Sequence, residues 1–240
     1  MTKMHDHAVS RVFTPAVGNG LLAMLLAASL AACPVAAQQA SATPLQQLDA
    51  FSSGLDSFSA RFAQTMFDAN GRQEEFSEGV FYLQQPDLMH WKYEHPYPQL
   101  IVADGDTLWS WDIELEQITR REQSAAEQQS PLTLITDPER LRERYTLQSL
   151  GVDDDGLAWL ELQPITSVDD TTQHDGSVAA MAEFSRILVA FKDSVLAMMV
   201  LEDSLGQRTE VRFSKASRND DLDPDLFQFV PPEGVDVLQG

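Results

Sequence analysis

Cysteine is almost absent from this chain of 240 residues: its single one, Cys33, sits close to the N-terminus. No disulfide can therefore staple the fold from within. Basic side chains are also scarce, with 16 Lys and Arg against 37 Asp and Glu and a net charge of −21. That balance argues against nucleic acid and anionic lipid surfaces as partners, and for a soluble, self-repelling particle. Groups able to do chemistry are few. There is no HExxH pair, GxSxG elbow, CxxC pair or phosphate-cradling glycine loop. Carboxylates are plentiful, but no spacing singles out an acid–base pair. Asp153-Asp154-Asp155-Gly156 lacks the alternating ligands and distal Glu of a calcium loop and reads as a solvated turn. Neither an enzyme, a metal nor a cofactor is expected. Long hydrophobic runs are missing too: the longest, residues 21–33, falls short of the roughly 20 apolar residues that span a bilayer.

What is present begins with that run. Lys3 and Arg11 precede it and small residues follow it, the layout of a secretory signal with cleavage after Ala37. A rival reading takes Leu30-Ala31-Ala32-Cys33 as a lipoprotein box, in which Cys33 is acylated and kept. On the first reading residues 1–37 are a signal peptide, 38–43 a polar leader and 44–240 one domain. Removing Lys3, Arg11 and Asp6 leaves 14 basic and 36 acidic side chains, a charge of −22. His90, His95 and His174 remain, none paired with another at helical spacing.

The domain opens with a helix signal. Thr43 caps, Pro44 suits the first helical position and Gln46 completes a capping box. Leu45, Leu48, Phe51, Leu55 and Phe58 follow at spacings of three and four, which predicts a helix over 44–57 with one apolar stripe. The period then becomes two. Phe62 and Met66 share a face, as do Met89, Trp91 and Tyr93, with His90 and Lys92 opposite; Trp109 and Trp111 align. Further runs at 79–83, 145–150, 157–162, 187–191, 195–201 and 208–215, with Asp-Gly and Asp-Ser-Leu-Gly turns between several of them, predict a large antiparallel sheet. Short helices are expected within 131–143, and 164–182 reads as a long polar loop. Sheets of this size pack face to face, close into a barrel or curl around something. An aromatic and Met-rich face is then either ordinary core or the wall of an acyl-chain pocket, since such side chains adapt to varied apolar shapes.

Several ordered segments resemble a known family. Ser59-Ala60-Arg61-Phe62-Ala63-Gln64-Thr65 comes first, then Gly79-x-Phe81-x-Leu83, then Pro86-Asp87-Leu88-Met89-His90-Trp91-Lys92-Tyr93-x-x-Pro96. Val102-Ala103-Asp104-Gly105-x-x-Leu108-Trp109, Asp112-x-x-x-Glu116-Gln117-Ile118-Thr119 and Pro131-Leu132-x-Leu134-Ile135 follow, and Phe227-x-Phe229-x-Pro231-Pro232-x-Gly234-Val235-Asp236-Val237 closes the series. Together, over residues 44–238, they resemble the LolA family of periplasmic carriers of outer-membrane lipoproteins. The resemblance implies a mostly β fold with a few helices: a strongly curved antiparallel sheet, an incomplete β-barrel, with a helical lid over an apolar cavity. It implies a periplasmic monomer that takes acylated lipoproteins from an inner-membrane ATP-driven lipoprotein-releasing transporter and delivers them to an outer-membrane receptor. On that expectation Phe62, Met66, Phe81, Met89, Trp91, Trp109 and Met198 line the lipid site, and Leu132, Leu134 and Ile135 form the lid.

Two positions depart from the family pattern. Gln85 stands where many relatives carry an Arg that helps hold the lid, and Met89 replaces an aromatic residue. Two other readings of the same sheet stay open: a membrane-anchored lipoprotein acceptor with acylated Cys33, and a periplasmic regulatory domain that senses a lipid or peptide.

Overall fold

The computed structural model describes residues 42–123, 135–165 and 184–239. They belong to one compact unit, Ser41–Gly240. The predicted 131–134 segment, with Leu132 and Leu134, and residues 166–182 of the predicted loop 164–182 lie outside the described residues.

Helix α1, Pro44–Ser52, starts as its sequence dictates: Gln46 N–H donates to the Thr43 hydroxyl, and the Gln46 side chain accepts from Thr43 N–H. It stops five residues short of the predicted end. The chain leaves the helix at Ser53, whose backbone is extended, Gly54 at φ +61° completes the turn that Leu55 N–H closes on the Ser52 carbonyl, and the apolar stripe continues by another route. Leu55 reaches the core from the connection, and Phe58 reaches it from the strand that follows.

Twelve strands among the described residues form one sheet. In chain order they are β1 Ser57–Phe67, β2 Gln73–Gln84, β3 Leu88–His95, β4 Gln99–Asp104, β5 Thr107–Asp112 and β6 Gln117–Glu122, then β7 Tyr145–Val152, β8 Ala158–Pro164, β9 Phe184–Lys192, β10 Val195–Asp203, β11 Arg208–Arg218 and β12 Asp236–Gln239. A second helix, α2 Pro138–Arg144, lies between β6 and β7 and is capped by Asp137. A 3-10 turn, Pro224–Phe227, precedes β12. The spatial order is β12-β6-β5-β4-β3-β2-β1-β11-β10-β9-β8-β7. All pairs are antiparallel except β12 with β6. The sheet therefore has two edges and is not closed into a barrel.

The sheet is bent, as open sheets of this size must be. Phe51 of α1 touches Phe58 on β1 at 5.4 Å between ring centroids and Phe191 on β9 at 5.6 Å. In a flat sheet those strands, three places apart, would be separated by about 14 Å. The main core fills the hollow side, joining α1, Ile135 before α2 and Leu141 within it to inward residues of β1–β3 and β7–β11. No helix among the described residues is long and apolar enough to cross a membrane.

Candidate functional site

The hollow face carries an aromatic floor. Phe62 on β1 pairs across with Gly79 on β2, and Phe81 on β2 pairs with Trp91 on β3. Phe62 meets Trp91 at 5.1 Å and Tyr93 at 5.0 Å, Phe81 meets Trp91 at 5.0 Å, and Trp91 stacks on Tyr93 at 6.1 Å. Phe62 and Phe81 are 2% and 0% exposed, whereas Met89, Trp91 and Tyr93 are half-buried. Gly79 makes this packing possible: a Cβ there would stand 1.9 Å from the Lys92 carbonyl oxygen and 3.0 Å from the Phe62 ring. The Phe62 side chain covers the gap that the glycine leaves, a known way of protecting a strand glycine.

The floor ends in a polar rim. Tyr93 donates its hydroxyl to Gln64 Oε1 at 3.2 Å, Ser77 donates to Glu75 at 3.1 Å, and Gln99 donates its amide to Ser110 at 3.3 Å. A pocket of 160 Å³ opens there, lined by Gln64, Glu75, Ser77, Tyr93, Gln99 and Asp112 among others. Burial, reinforced by the Glu75 charge and opposed by the Gln64 bond, pushes the Tyr93 hydroxyl up to about 12. The phenol is therefore neutral at physiological pH.

The structure brings some of the expected lining residues together and separates others. Phe62, Phe81, Met89 and Trp91 share the hollow face. Met66 has the same facing as Phe62 but lies farther along β1, half-exposed and outside the core cluster. Trp109 is on the opposite face. The turn at 104–106 pairs Ala103 with Leu108, so inward positions are odd-numbered on β3 and β4 but even-numbered on β5. Trp109 thus aligns with Val102 and His90. Its indole N–H donates to Asp104 at 2.8 Å and its ring packs on Phe229 at 5.3 Å. Burial pushes the Asp104 carboxyl up, but the bonds from Trp109, Thr107 and Asp106 outweigh it and hold the group below its ordinary value.

Met198 is displaced as well. The β10–β9 register shifts between Leu196 and Met198, so that Leu196 and Met199 face the hollow. Met198 is 5% exposed, in a separate cluster on the outer face with Ala190 and Val200. Alternation read without that bulge puts it on the wrong side. Ile135 is fully buried in the main core.

The aromatic-rich stretch 88–112 therefore serves both faces. Met89, Trp91 and Tyr93 turn inward, while Trp109 and Trp111 turn outward beneath Phe229. The C-terminal segment is held there by Phe227, 3% exposed, and by His90, whose Nδ1–H donates to the Leu226 carbonyl at 2.7 Å. Burial is the main force lowering the His90 pKa, helped by Lys92 and opposed by the Leu226 bond.

At the helical side, α1 and α2 flank a groove of 590 Å³ that includes Leu55, Gln85 and Thr136. Gln85 supplies no cation there. Arg142 of α2 lines the same groove and pairs with Asp49 of α1, tying the two helices together.

An open, strongly curved antiparallel sheet with an aromatic concave face is thus the class that the fold and the site define. The family described as outer membrane lipoprotein carrier protein LolA matches residues 53–230. An outer-membrane lipoprotein carrier protein of Chromobacterium violaceum is 41% identical over 220 residues, covering 92% of this chain and 98% of that one. The protein of the same name in Xanthomonas campestris pv. campestris strain B100 is 40% identical over 193 residues, 80% of this chain and 87% of that one. One from Methylococcus capsulatus is 34% identical over 203 residues, 85% and 91% of the two chains. The chain belongs to the LolA family of lipoprotein carriers. That is a family of carriers rather than of known enzymes.

Proposed function

We propose that the protein is a periplasmic chaperone that binds the acyl chains of lipoproteins released from the inner membrane and carries them to an outer-membrane receptor. The observation that carries this reading is the aromatic floor of Phe62, Phe81 and Trp91 on the hollow face of an open sheet, in a chain that belongs to this family. The physical need is large. A triacylated lipoprotein carries roughly 45 methylenes at about 0.8 kcal/mol each, so roughly 35 kcal/mol opposes free passage through water. The cargo passes from an ATP-driven releasing transporter to the receptor, and the carrier itself only binds and lets go.

Release requires competition. Leu132, Leu134 and Ile135 form the lid: they pack on the lining when the carrier is empty and move aside when it is loaded, a population shift set by differential contacts. The burial of Ile135 against the core supports this. The Arg142–Asp49 pair, in the groove that Gln85 lines, holds the helical side in the empty state. The lining is Phe62, Phe81, Met89 and Trp91, with Met66 toward the rim. Residues 1–37 act as the secretory signal.

Spheroplasts incubated with purified protein lacking residues 1–37 test the reading. Lipoproteins are expected to appear in the supernatant as soluble complexes with the carrier. A folded protein that releases none in the presence of its cognate transporter would refute it.

A further inference from the structure

The chain has four tryptophans. Two of them satisfy their indole N–H at a nearby turn: Trp109 donates to Asp104 and Trp159 to Asp153, each at 2.8 Å. The other two do not. The Nε1 atoms of Trp91 and Trp111 are buried and have no hydrogen-bond partner among the described residues. Native structures leave few donors in that state, because the lost hydration is not repaid.

The two orphans differ in place. Trp111 is on the outer face, beneath Phe229. Trp91 is in the hollow, between Phe62 and Phe81 and stacked on Tyr93, with Ile101 as its other cross-strand neighbour. The Tyr93 hydroxyl donates to Gln64 and makes no bond to the Trp91 indole, and the other side chains carry no acceptor. An acyl chain arriving on this floor is methylene along its length and brings a strong acceptor only at its head, the ester carbonyl oxygen. The floor changes character one inward position beyond Trp91, at Tyr93, where the polar rim of Gln64, Ser77 and Gln99 begins.

We infer that the Trp91 indole N–H donates a hydrogen bond to the ester carbonyl at the head of a bound acyl chain. This assignment rests on the carrier reading and adds selectivity to it: the site distinguishes acyl esters from hydrocarbon in general. It also fixes how far each chain slides along the floor, placing the ester at the border between the aromatic surface and the polar rim.

The test compares two fluorescent lipopeptides, one with two ester-linked acyl chains on its cysteine thioglycerol and one with ether-linked alkyl chains of equal length. Wild type should bind the ester form about fivefold more tightly, the range expected of one neutral hydrogen bond. Trp91→Phe should lose that preference: it removes lining surface from both ligands but weakens the ester form about fivefold more than the ether form. Benzothienylalanine at position 91, which keeps the bicyclic ring and lacks the N–H, should do the same with less disturbance of packing. Trp111→Phe should change neither affinity. Equal weakening of both ligands by benzothienylalanine, or no change in either, would overturn the contact. Wild type binding neither lipopeptide would remove the carrier reading itself.

Discussion

Gly79 and Phe62 show how a single residue sets the hollow face. The carbonyl of Lys92 occupies the space that a Cβ at position 79 would need, so Gly79→Ala must displace backbone or open the β2–β3 pairing. We expect a loss of about 3 kcal/mol, at the upper end for overpacking, read by denaturant unfolding. Tyr93 gives a pH signature from the same patch. Its hydroxyl ionises near 12 in the folded protein and near 10 when unfolded, so the unfolded chain loses the proton first as pH rises. The contribution of Tyr93 to stability is complete below about pH 10 and declines toward 12. Tyr93→Phe should flatten this alkaline decline, measured as melting temperature against pH. At this scale the sequence was partly legible: period-two alternation put Met89, Trp91 and Tyr93 on a common face, and they share one. It could not say that Trp109 faces away from them, because the facing of β5 depends on how the turn at 104–106 sets its register. Nor could it find the bulge that exchanges Met198 for Met199. Met89→Glu should impair uptake of lipidated cargo more than it lowers stability, since Met89 is half-buried on the hollow face; retained uptake would remove it from the lining.

Among the elements, those with strong local signals were the readable ones. The capping box of α1, the Asp137-Pro138 start of α2 and the hairpin turns all appear where their chemistry places them. The end of α1 did not, because Phe58 satisfies the helical spacing equally well from β1, where it packs edge-on against Phe51. Strand β12 carried no signal at all: its four residues are all exposed, and it exists only by pairing with β6. The segment leading into it is pinned by His90. The folded state favours neutral imidazole, so as pH falls below about 6.5 the unfolded chain takes up the proton first. Stability should hold above that pH and decline from it toward the lowered folded value. His90→Gln should reduce this acid-side slope in melting experiments between pH 7.5 and 5, all about 1–2 units either side of the ordinary value. On the helical side, Arg142→Glu should lower the melting temperature by no more than about 2 °C, since both partners are largely exposed. Cargo exchange should nonetheless quicken, and combining it with Asp49→Arg should restore the slower rate.

At the scale of the whole molecule, one bent sheet separates two apolar environments. The hollow side collects Phe58, Phe62, Phe81, Trp91 and Phe213 under the helices; the outer side shields its own tryptophans with the C-terminal segment and with turn carboxylates. Curvature could be expected from the number of strands, but not the assignment of faces, which follows from register between distant segments. The division supplies a direct test, because Trp91 alone among the four tryptophans lies on the hollow side. Variants that keep one tryptophan each, the others replaced by phenylalanine, would be titrated with a lipopeptide whose ester-linked chains are brominated, bromine being a contact quencher of indole emission. The account predicts quenching in the protein that retains only Trp91 and unchanged emission in those that retain only Trp109, Trp111 or Trp159. Bound lipopeptide that leaves Trp91 unquenched, or that quenches an outer-face tryptophan instead, would contradict it.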